Sequence, residues 1–249
     1  MKKLARFFLK PDQPQQARVQ IDGSDAHHIT RVLRLQPGDE IECIAVNGLV
    51  HLVEISEVGA TVRGTVKKTV AAAGESPLPI ALFQGLAKGD KMDWVVQKAV
   101  ELGVAEIIPF ISRFTVVRLN AKQEQARGQR WERIAQEAAK QCGRTKLPDI
   151  RPIHNWEQLV SAVEERVGRR ELVLLAYEGE ANKGVGGIVR TPDAVSVLIG
   201  PEGGFAGAEV ERLTEAGAET ISLGPRILRT ETAGLAALSL IGYRWGDLK

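Results

Sequence analysis

The sequence predicts an α/β protein with two parts: a small β-barrel over residues 1–72 and a larger domain with a mostly parallel sheet over residues 73–249. Three observations predict this division. Short Val- and Ile-rich segments separated by turn residues fill the first part. Apolar strand-like runs alternate with helical patterns in the second, as in βαβ units. Residues 71–77, Ala-Ala-Ala-Gly-Glu-Ser-Pro, have the composition of a linker.

The first part contains four predicted strands, at residues 18–21, 40–46, 49–55 and 60–67. Asn47-Gly48 separates the second strand from the third and is a strong signal for a tight hairpin. A short helix capped by Ser24 is expected between the first two strands. Five or six such strands are most simply closed into a compact barrel, which leaves few exposed edges.

The second part alternates regularly between strands and helices. Met92, Val95, Val96, Ala99 and Val100 recur with helical spacing, and Gly103 is a suitable stop. Asn155 is a suitable N-cap for a later helix. The remaining elements are predicted at the following residues: strands at 80–84, 106–111, 172–177, 195–199 and 220–223, helices at 121–141, 208–216 and 233–245, and a Gly-rich loop at 179–191.

Composition restricts the class of protein only broadly. Hydrophobic residues make up 44% and charged residues 26%, as in ordinary globular proteins, and the net charge of +2 does not by itself indicate a nucleic-acid binder. Cys43 and Cys142 lie far apart without neighbouring His or Cys, so neither a metal site nor a disulfide framework is expected. No apolar run is long enough for a membrane span. A cytoplasmic protein is therefore expected.

Two loops near the C-terminus predict a ligand site. Residues 198–205 read Leu-Ile-Gly-Pro-Glu-Gly-Gly-Phe, and residues 223–233 read Leu-Gly-Pro-Arg-Ile-Leu-Arg-Thr-Glu-Thr-Ala. Each follows a predicted strand and precedes a predicted helix, and ligands bind at the carboxyl ends of strands in such sheets. Since consecutive parallel strands are usually neighbours, the two loops are expected side by side.

The composition of these loops indicates the ligand class. The glycines permit a close approach of main chain to a ligand, but Glu202 would repel a phosphate, and neither known phosphate-loop spacing is present. A neutral or cationic nucleoside fits better. An ordinary reading explains part of the second loop: a threonine caps the last helix and Glu231 complements its dipole. That reading leaves Arg229 and the apolar pair at 227–228 unexplained.

Both loops resemble the signature loops of the RsmE family of 16S ribosomal RNA uridine-N3 methyltransferases, which belongs to the SPOUT superfamily. Residues 88–93, Lys-Gly-Asp-Lys-Met-Asp, together with residues 97–103, resemble the central motif of that family. His28, residues 31–34 and Gly38-Asp39 resemble its N-terminal domain. Ribose-methylating relatives share the Gly- and Glu-rich first loop, but their second loop has a Ser-Leu-Asn type of sequence.

The resemblance implies a PUA-like N-terminal barrel, a C-terminal domain with a deep trefoil knot, and a homodimer. It also implies S-adenosylmethionine as the cofactor, no metal, and 16S rRNA or the small ribosomal subunit as the partner. The residues expected to line the cofactor site are Ile199, Gly200, Pro201, Gly203, Leu223, Gly224, Ile227, Leu228, Thr230 and Ala233.

Uridine N3 becomes a good nucleophile only after it loses its proton, and this loss leaves negative charge on the flanking carbonyl oxygens. A cationic donor at those oxygens and a carboxylate that accepts the proton would promote the reaction. Arg229 is the candidate for the first role. Glu231 or Glu202 is the candidate for the second, with Glu231 preferred because it shares a loop with Arg229. Alternatively, either glutamate only complements a helix start, and the proton goes to solvent.

Basic residues elsewhere are candidate RNA contacts, although most such residues simply lie on solvated faces. The candidates are Arg6, Arg31, Arg34, Lys88, Arg113 and Arg144. Two other functions remain open: a methyltransferase of the same class that modifies another RNA position, and a non-catalytic RNA-binding or ribosome-assembly protein that retains the fold.

Overall fold

The computed structural model describes residues 4–14, 17–71 and 74–249. These residues form two compact units, one within Met1–Glu75 and Ala139–Lys146 and the other comprising Ser76–Ala138 and Leu147–Lys249. The predicted domain boundary falls on residues 72 and 73, which lie outside the described residues, as do the first three residues of the predicted barrel. In the part that the structure describes, no helix combines the length and the apolar character needed to cross a membrane.

The first unit is a five-stranded half-barrel with strand order β1-β3-β4-β5-β2. Its elements are β1 (Arg6–Phe8), β2 (Arg18–Ile21), α1 (Gly23–His27), a π-helical turn (His28–Leu33), β3 (Glu40–Ile44), β4 (Val50–Glu57) and β5 (Val62–Val70). The four predicted strands and the hairpin at Asn47-Gly48 are confirmed, with Gly48 at φ +81° in the turn between antiparallel β3 and β4. Strand β1, which pairs parallel with β3, was not predicted because three residues show no alternating pattern.

A short piece of chain from the middle of the sequence completes this unit. Residues Ala139–Lys146 are anchored by Arg144, whose guanidinium Nη2 lies 2.9 Å from Glu75 Oε2. Lys140 Nζ lies 2.8 Å from Asp25 Oδ1, and Arg6 donates to the carbonyl of Gly143. No local pattern reveals this attachment, because its partners lie between about seventy and one hundred and forty residues away in the sequence.

The second unit is a six-stranded parallel sheet with helices between its strands, as predicted. Its strands are β6 (Ile80–Gly85), β7 (Glu106–Phe110), β8 (Asp149–Ile150), β9 (Leu172–Ala176), β10 (Val195–Ile199) and β11 (Glu219–Ile221). Its helices are α2 (Lys91–Glu101), α3 (Ala121–Cys142), α4 (Trp156–Gly168), α5 (Gly207–Glu215) and α6 (Thr230–Trp245), and the last four residues of α3 are counted with the first unit. Strands β6 and β10 are buried along their whole length, as expected at the centre of a covered parallel sheet.

The strand order, β11-β9-β10-β6-β7-β8, corrects one prediction. Strands β10 and β11 are not neighbours, because β9 lies between them and pairs with both. The expectation that consecutive parallel strands adjoin is therefore wrong here. All three strands still end at the same edge, so the end of β9 joins the two predicted loops in forming that edge.

The main chain after β10 also passes very close to the end of β6. A Cβ added to Gly85 would lie 2.3 Å from the Pro201 nitrogen, so only glycine permits this approach. The deep trefoil knot implied by the family resemblance stays a prediction.

Candidate active site

A cavity of about 360 Å³ lies at the carboxyl edge of the sheet in the second unit. That volume falls within the range of small-molecule sites, roughly 300–1,000 Å³. The cavity is bordered by the ends of three strands and by the start of α2. Its lining consists of Lys91, Ala176, Tyr177, Glu178, Ile199, Gly200, Pro201, Glu202, Gly204, Phe205, Ser222, Leu223, Gly224, Arg226, Ile227, Leu228, Arg229, Thr230 and Ala233.

All residues predicted to line the cofactor site border this cavity, except Gly203. A Cβ on Gly203 would lie 2.7 Å from the Cβ of Phe114, so this glycine accommodates a side chain packed behind the loop. Gly204 lines the cavity instead and has φ +67°, a conformation that favours glycine. The first loop thus needs one glycine for packing and another for backbone conformation.

Sequence reasoning missed Ala176, Tyr177 and Glu178, which line the cavity from the end of β9. Strand β9 was predicted as a buried strand, but its place between β10 and β11 was not. The signal available in the sequence was the position of these residues immediately after a buried parallel strand, where ligands bind.

Thr230 does not cap α6 with its side chain, which corrects the capping expectation for that threonine. Its Oγ1 donates to the carbonyl of Gly200 over 2.6 Å and accepts from Gln84 Nε2 over 2.8 Å. The N-cap position is occupied by Arg229, which forms no side-chain capping bond. Buried Thr230 therefore connects the first loop, the second loop and the end of β6.

Glu202 and Glu231 both contact the ammonium group of Lys91. Glu202 Oε1 accepts a hydrogen bond from the Lys88 backbone amide over 3.0 Å and lies 3.3 Å from Lys91 Nζ. Glu231 Oε2 lies 3.2 Å from the same Nζ, although this contact lacks the alignment of a hydrogen bond. Partial burial favours a higher pKa for Glu202, but the Lys88 amide and Lys91 together hold its pKa below the usual range.

Arg229 lies at the cavity and is exposed. Among the described residues its guanidinium takes part in no ion pair or side-chain hydrogen bond, so it is available to a bound molecule. Glu202 also lines the cavity, whereas Glu231 reaches it only through Lys91. The structure thus places Arg229 and Glu202 at the cavity lining, and Glu231 is joined to that lining by its ion pair with Lys91.

The candidate RNA contacts divide into two groups. Arg31, Arg34, Lys88 and Arg113 are exposed. Arg144 is buried against Glu75, and Arg6 is paired with Glu42 and with the Gly143 carbonyl. The structure therefore gives Arg6 and Arg144 a role in holding the first unit together. Burial corrects the assignment of Arg144 as an RNA contact, whereas that of the half-buried Arg6 stays a prediction. In the described ranges, no group of three or more His, Cys, Asp or Glu is arranged to hold a metal ion.

Known proteins with similar sequences are RNA methyltransferases. Residues 74–242 match the model of an RNA methyltransferase domain, and residues 21–61 match that of an RNA methyltransferase PUA domain. Ribosomal RNA small subunit methyltransferase E of Bacillus subtilis is 37% identical, with 97% of each chain covered. The chain belongs to the ribosomal RNA small subunit methyltransferase E family.

Solved structures agree in fold with this assignment. The ribosomal RNA small subunit methyltransferase E of Neisseria gonorrhoeae, bound to S-adenosylmethionine, matches with a TM-score of 0.89 and 32% identity over 99% of this chain and 100% of that one. A putative methyltransferase of Legionella pneumophila in complex with the same cofactor matches with a TM-score of 0.90 and 31% identity over 99% and 100%.

Proposed function

We propose that this RNA methyltransferase transfers a methyl group from S-adenosylmethionine to N3 of a uridine in 16S ribosomal RNA. The observation that carries the proposal is the cavity itself, which the two signature loops and the end of β9 enclose. The Arg229–Thr232 segment of the second loop favours methylation of a base over methylation of a ribose, because it differs from the Ser-Leu-Asn type of sequence in ribose-methylating relatives.

The residues of the cavity fit S-adenosylmethionine. Ile199, Leu223 and Leu228 provide apolar walls, and the glycines expose main-chain amides and carbonyls. Glu178 and Glu202 place carboxylates at a lining that also carries Lys91, Arg226 and Arg229, and a carboxylate suits a cationic sulfonium. When bound, the cofactor supplies a methyl carbon that its positively charged sulfur makes electrophilic.

In this proposal the chain's own residues prepare uridine for the reaction. The N3–H bond breaks and its proton passes to a carboxylate oxygen of Glu231 or Glu202. The electron pair left on N3 forms the new bond to carbon as the carbon–sulfur pair leaves with sulfur. Arg229 stabilises the negative charge that develops on the uridine carbonyl oxygens. Holding the two reactants in line contributes much of the rate increase.

Residues near the cavity support RNA binding by the second unit. Arg113 is exposed, and its guanidinium lies 5.9 Å from the centre of the exposed Phe114 ring, which packs on Gly203. An arginine next to an exposed aromatic ring suits a single-stranded nucleic acid. Lys88 is exposed beside Glu202. We propose residues 1–72 as a further RNA-binding module through Arg31 and Arg34, and residues 73–249 as the catalytic domain.

We further propose a cytoplasmic homodimer that acts on the small ribosomal subunit or its RNA. Helices α2 and α6 pack together, and both expose large apolar side chains: Trp94 on α2, and Leu240 and Tyr243 on α6. Exposed aromatic and apolar side chains are enriched at subunit interfaces.

Methyl transfer from labelled cofactor tests the proposal. The protein is incubated with labelled S-adenosylmethionine and with either undermethylated small subunits or naked 16S rRNA. We expect saturable cofactor binding and label in 16S rRNA. Label in a different RNA would favour the alternative of another position, and absence of saturable cofactor binding would favour a non-catalytic RNA-binding protein.

A further inference from the structure

Lys91 lies where the two signature loops meet the start of α2. It is the first residue of that helix, which is fixed in place by its buried face of Met92, Val95 and Val96. The Lys91 side chain is one-third exposed and borders the cavity. The packed helix thus fixes the backbone position from which the Lys91 side chain extends toward the cavity.

The ammonium of Lys91 joins carboxylates from two different elements. Glu202 belongs to the loop after β10, and its Oε1 lies 3.3 Å from Nζ. Glu231 belongs to the first turn of α6, and its Oε2 lies 3.2 Å from the same Nζ. Burial alone would lower the pKa of Lys91, but the two carboxylates outweigh it and raise this pKa. Lys91 therefore carries its charge throughout the neutral range.

The other charged groups near Lys91 do not replace it. On its own helix, Asp93 and the preceding Asp90 are paired with Arg130 of α3. Arg226, Arg229 and Glu178 face the cavity from the loops after β11 and β9. Among the described residues, Lys91 is the cation whose side chain contacts both Glu202 and Glu231.

We propose that Lys91 is a positioning residue, whose ammonium group holds the carboxylates of Glu202 and Glu231 together beside the cavity, so that one of them accepts the proton of the substrate base. This inference rests on the proposed function. Two carboxylates that share a site without a cation repel each other, so one of them takes up a proton at a pH where an isolated carboxylate is ionised. A protonated carboxylate cannot accept the uridine proton.

The test compares Lys91→Met, Lys91→Arg and Lys98→Met. Methionine removes the charge but keeps an unbranched side chain, and arginine keeps the charge. Lys98 is the matched control, because it lies on the same helix and pairs with Glu101 at 2.8 Å, away from the cavity. Each protein is titrated without ligand by carboxyl-carbon NMR of labelled glutamates, with assignments from Glu202→Gln and Glu231→Gln. The pH profile of kcat for methyl transfer is then recorded.

We expect Lys91→Met to raise the pKa of Glu202 by about one unit or more, as the loss of an adjacent opposite charge does. The acidic limb of the kcat profile should move to higher pH by a similar amount, while the KM for cofactor changes little. Lys91→Arg should restore most of both properties, and Lys98→Met should match the wild-type protein.

Unchanged carboxylate titration in folded Lys91→Met would overturn the inference, whether or not the protein is active. A shifted titration with an unchanged kcat profile would overturn it as well, because proton transfer would then not depend on these carboxylates. Failure of the proposed function is a separate outcome: the wild-type protein itself would then transfer no methyl group to RNA.

Discussion

At the scale of single residues, the candidate catalytic groups are the guanidinium of Arg229 and the two glutamates that contact Lys91. The backbone of Arg229 is extended at the N-cap of α6, and its guanidinium is unpaired among the described residues while the nearby glutamates share Lys91. The sequence predicted that Arg229, Glu202 and Glu231 belong to one site, because their loops follow parallel strands. The sequence did not predict Lys91 as the common partner of the two glutamates, since each of these contacts joins residues more than one hundred positions apart.

Replacement of Arg229 by methionine should lower kcat for methyl transfer about 10²- to 10³-fold, as expected for the loss of one donor to a developing anion. The Kd for S-adenosylmethionine should change little, because the apolar walls and main-chain groups remain. Single-turnover kinetics together with calorimetric cofactor binding measure both quantities. Arg244→Met is the control, since Arg244 is exposed near the end of the same helix. An unaltered kcat in Arg229→Met would remove this residue from the mechanism.

Thr230 holds the two signature loops together, so its hydroxyl should matter for stability. Thr230→Val keeps the side-chain shape but leaves the Gly200 carbonyl and Gln84 Nε2 without this partner. The free energy of unfolding should fall by about 1–3 kcal/mol. Urea denaturation measures the difference. Thr232→Val is the control, because Thr232 is exposed in the same first turn of α6. Equal losses in the two variants would contradict the role given to Thr230.

At the scale of elements, local sequence patterns predicted most helices and strands, but they did not predict which strands lie side by side in the sheet. Asn155 caps α4 with Gln158 in a reciprocal pair of hydrogen bonds, as the residue types suggested. By contrast, the order β11-β9-β10 depends on long-range packing that no periodicity records. This order explains why the end of β9 was missed as part of the cavity.

The attachment of Ala139–Lys146 gives a prediction about pH. Burial favours a higher pKa for Glu75, but Arg144 and the backbone amides of Thr145 and Lys146 outweigh it and lower this pKa. A lowered folded-state pKa contributes stability that is present above the unfolded pKa and is lost as the pH falls through the folded value. Glu75→Gln should therefore be less stable than wild type at neutral pH by about 1–3 kcal/mol, as when a hydrogen bond to a charged group is lost.

The difference between Glu75→Gln and wild type should shrink as the pH falls below the ordinary carboxyl value of 4.5. Urea denaturation across a pH series measures it. Glu54→Gln is the control, because Glu54 pairs with Lys67 at 3.0 Å on an exposed surface and such pairs contribute under about 1 kcal/mol. A Glu75→Gln difference that stays constant at all pH values would contradict the role of the ion pair.

At the scale of the whole molecule, the proposed homodimer would bury exposed apolar side chains on the surface of α2 and α6. Tyr243→Glu places a charge on this surface, where the tyrosine is 74% exposed, and should convert the dimer to a monomer. Light scattering after size-exclusion chromatography measures the mass. Val46→Glu is the control, since Val46 is 69% exposed in the first unit. A wild-type protein with the mass of one chain would contradict the dimer.

We propose that the cavity at the edge of the parallel sheet directs a methyl group to a base nitrogen. Mass spectrometry of the nucleosides from 16S rRNA, methylated in vitro by the wild-type protein, tests it most directly, with Arg229→Met treated in parallel. We expect 3-methyluridine at a single position, with much less product from the variant. A methyl group on a ribose oxygen, or on a different base, would contradict it.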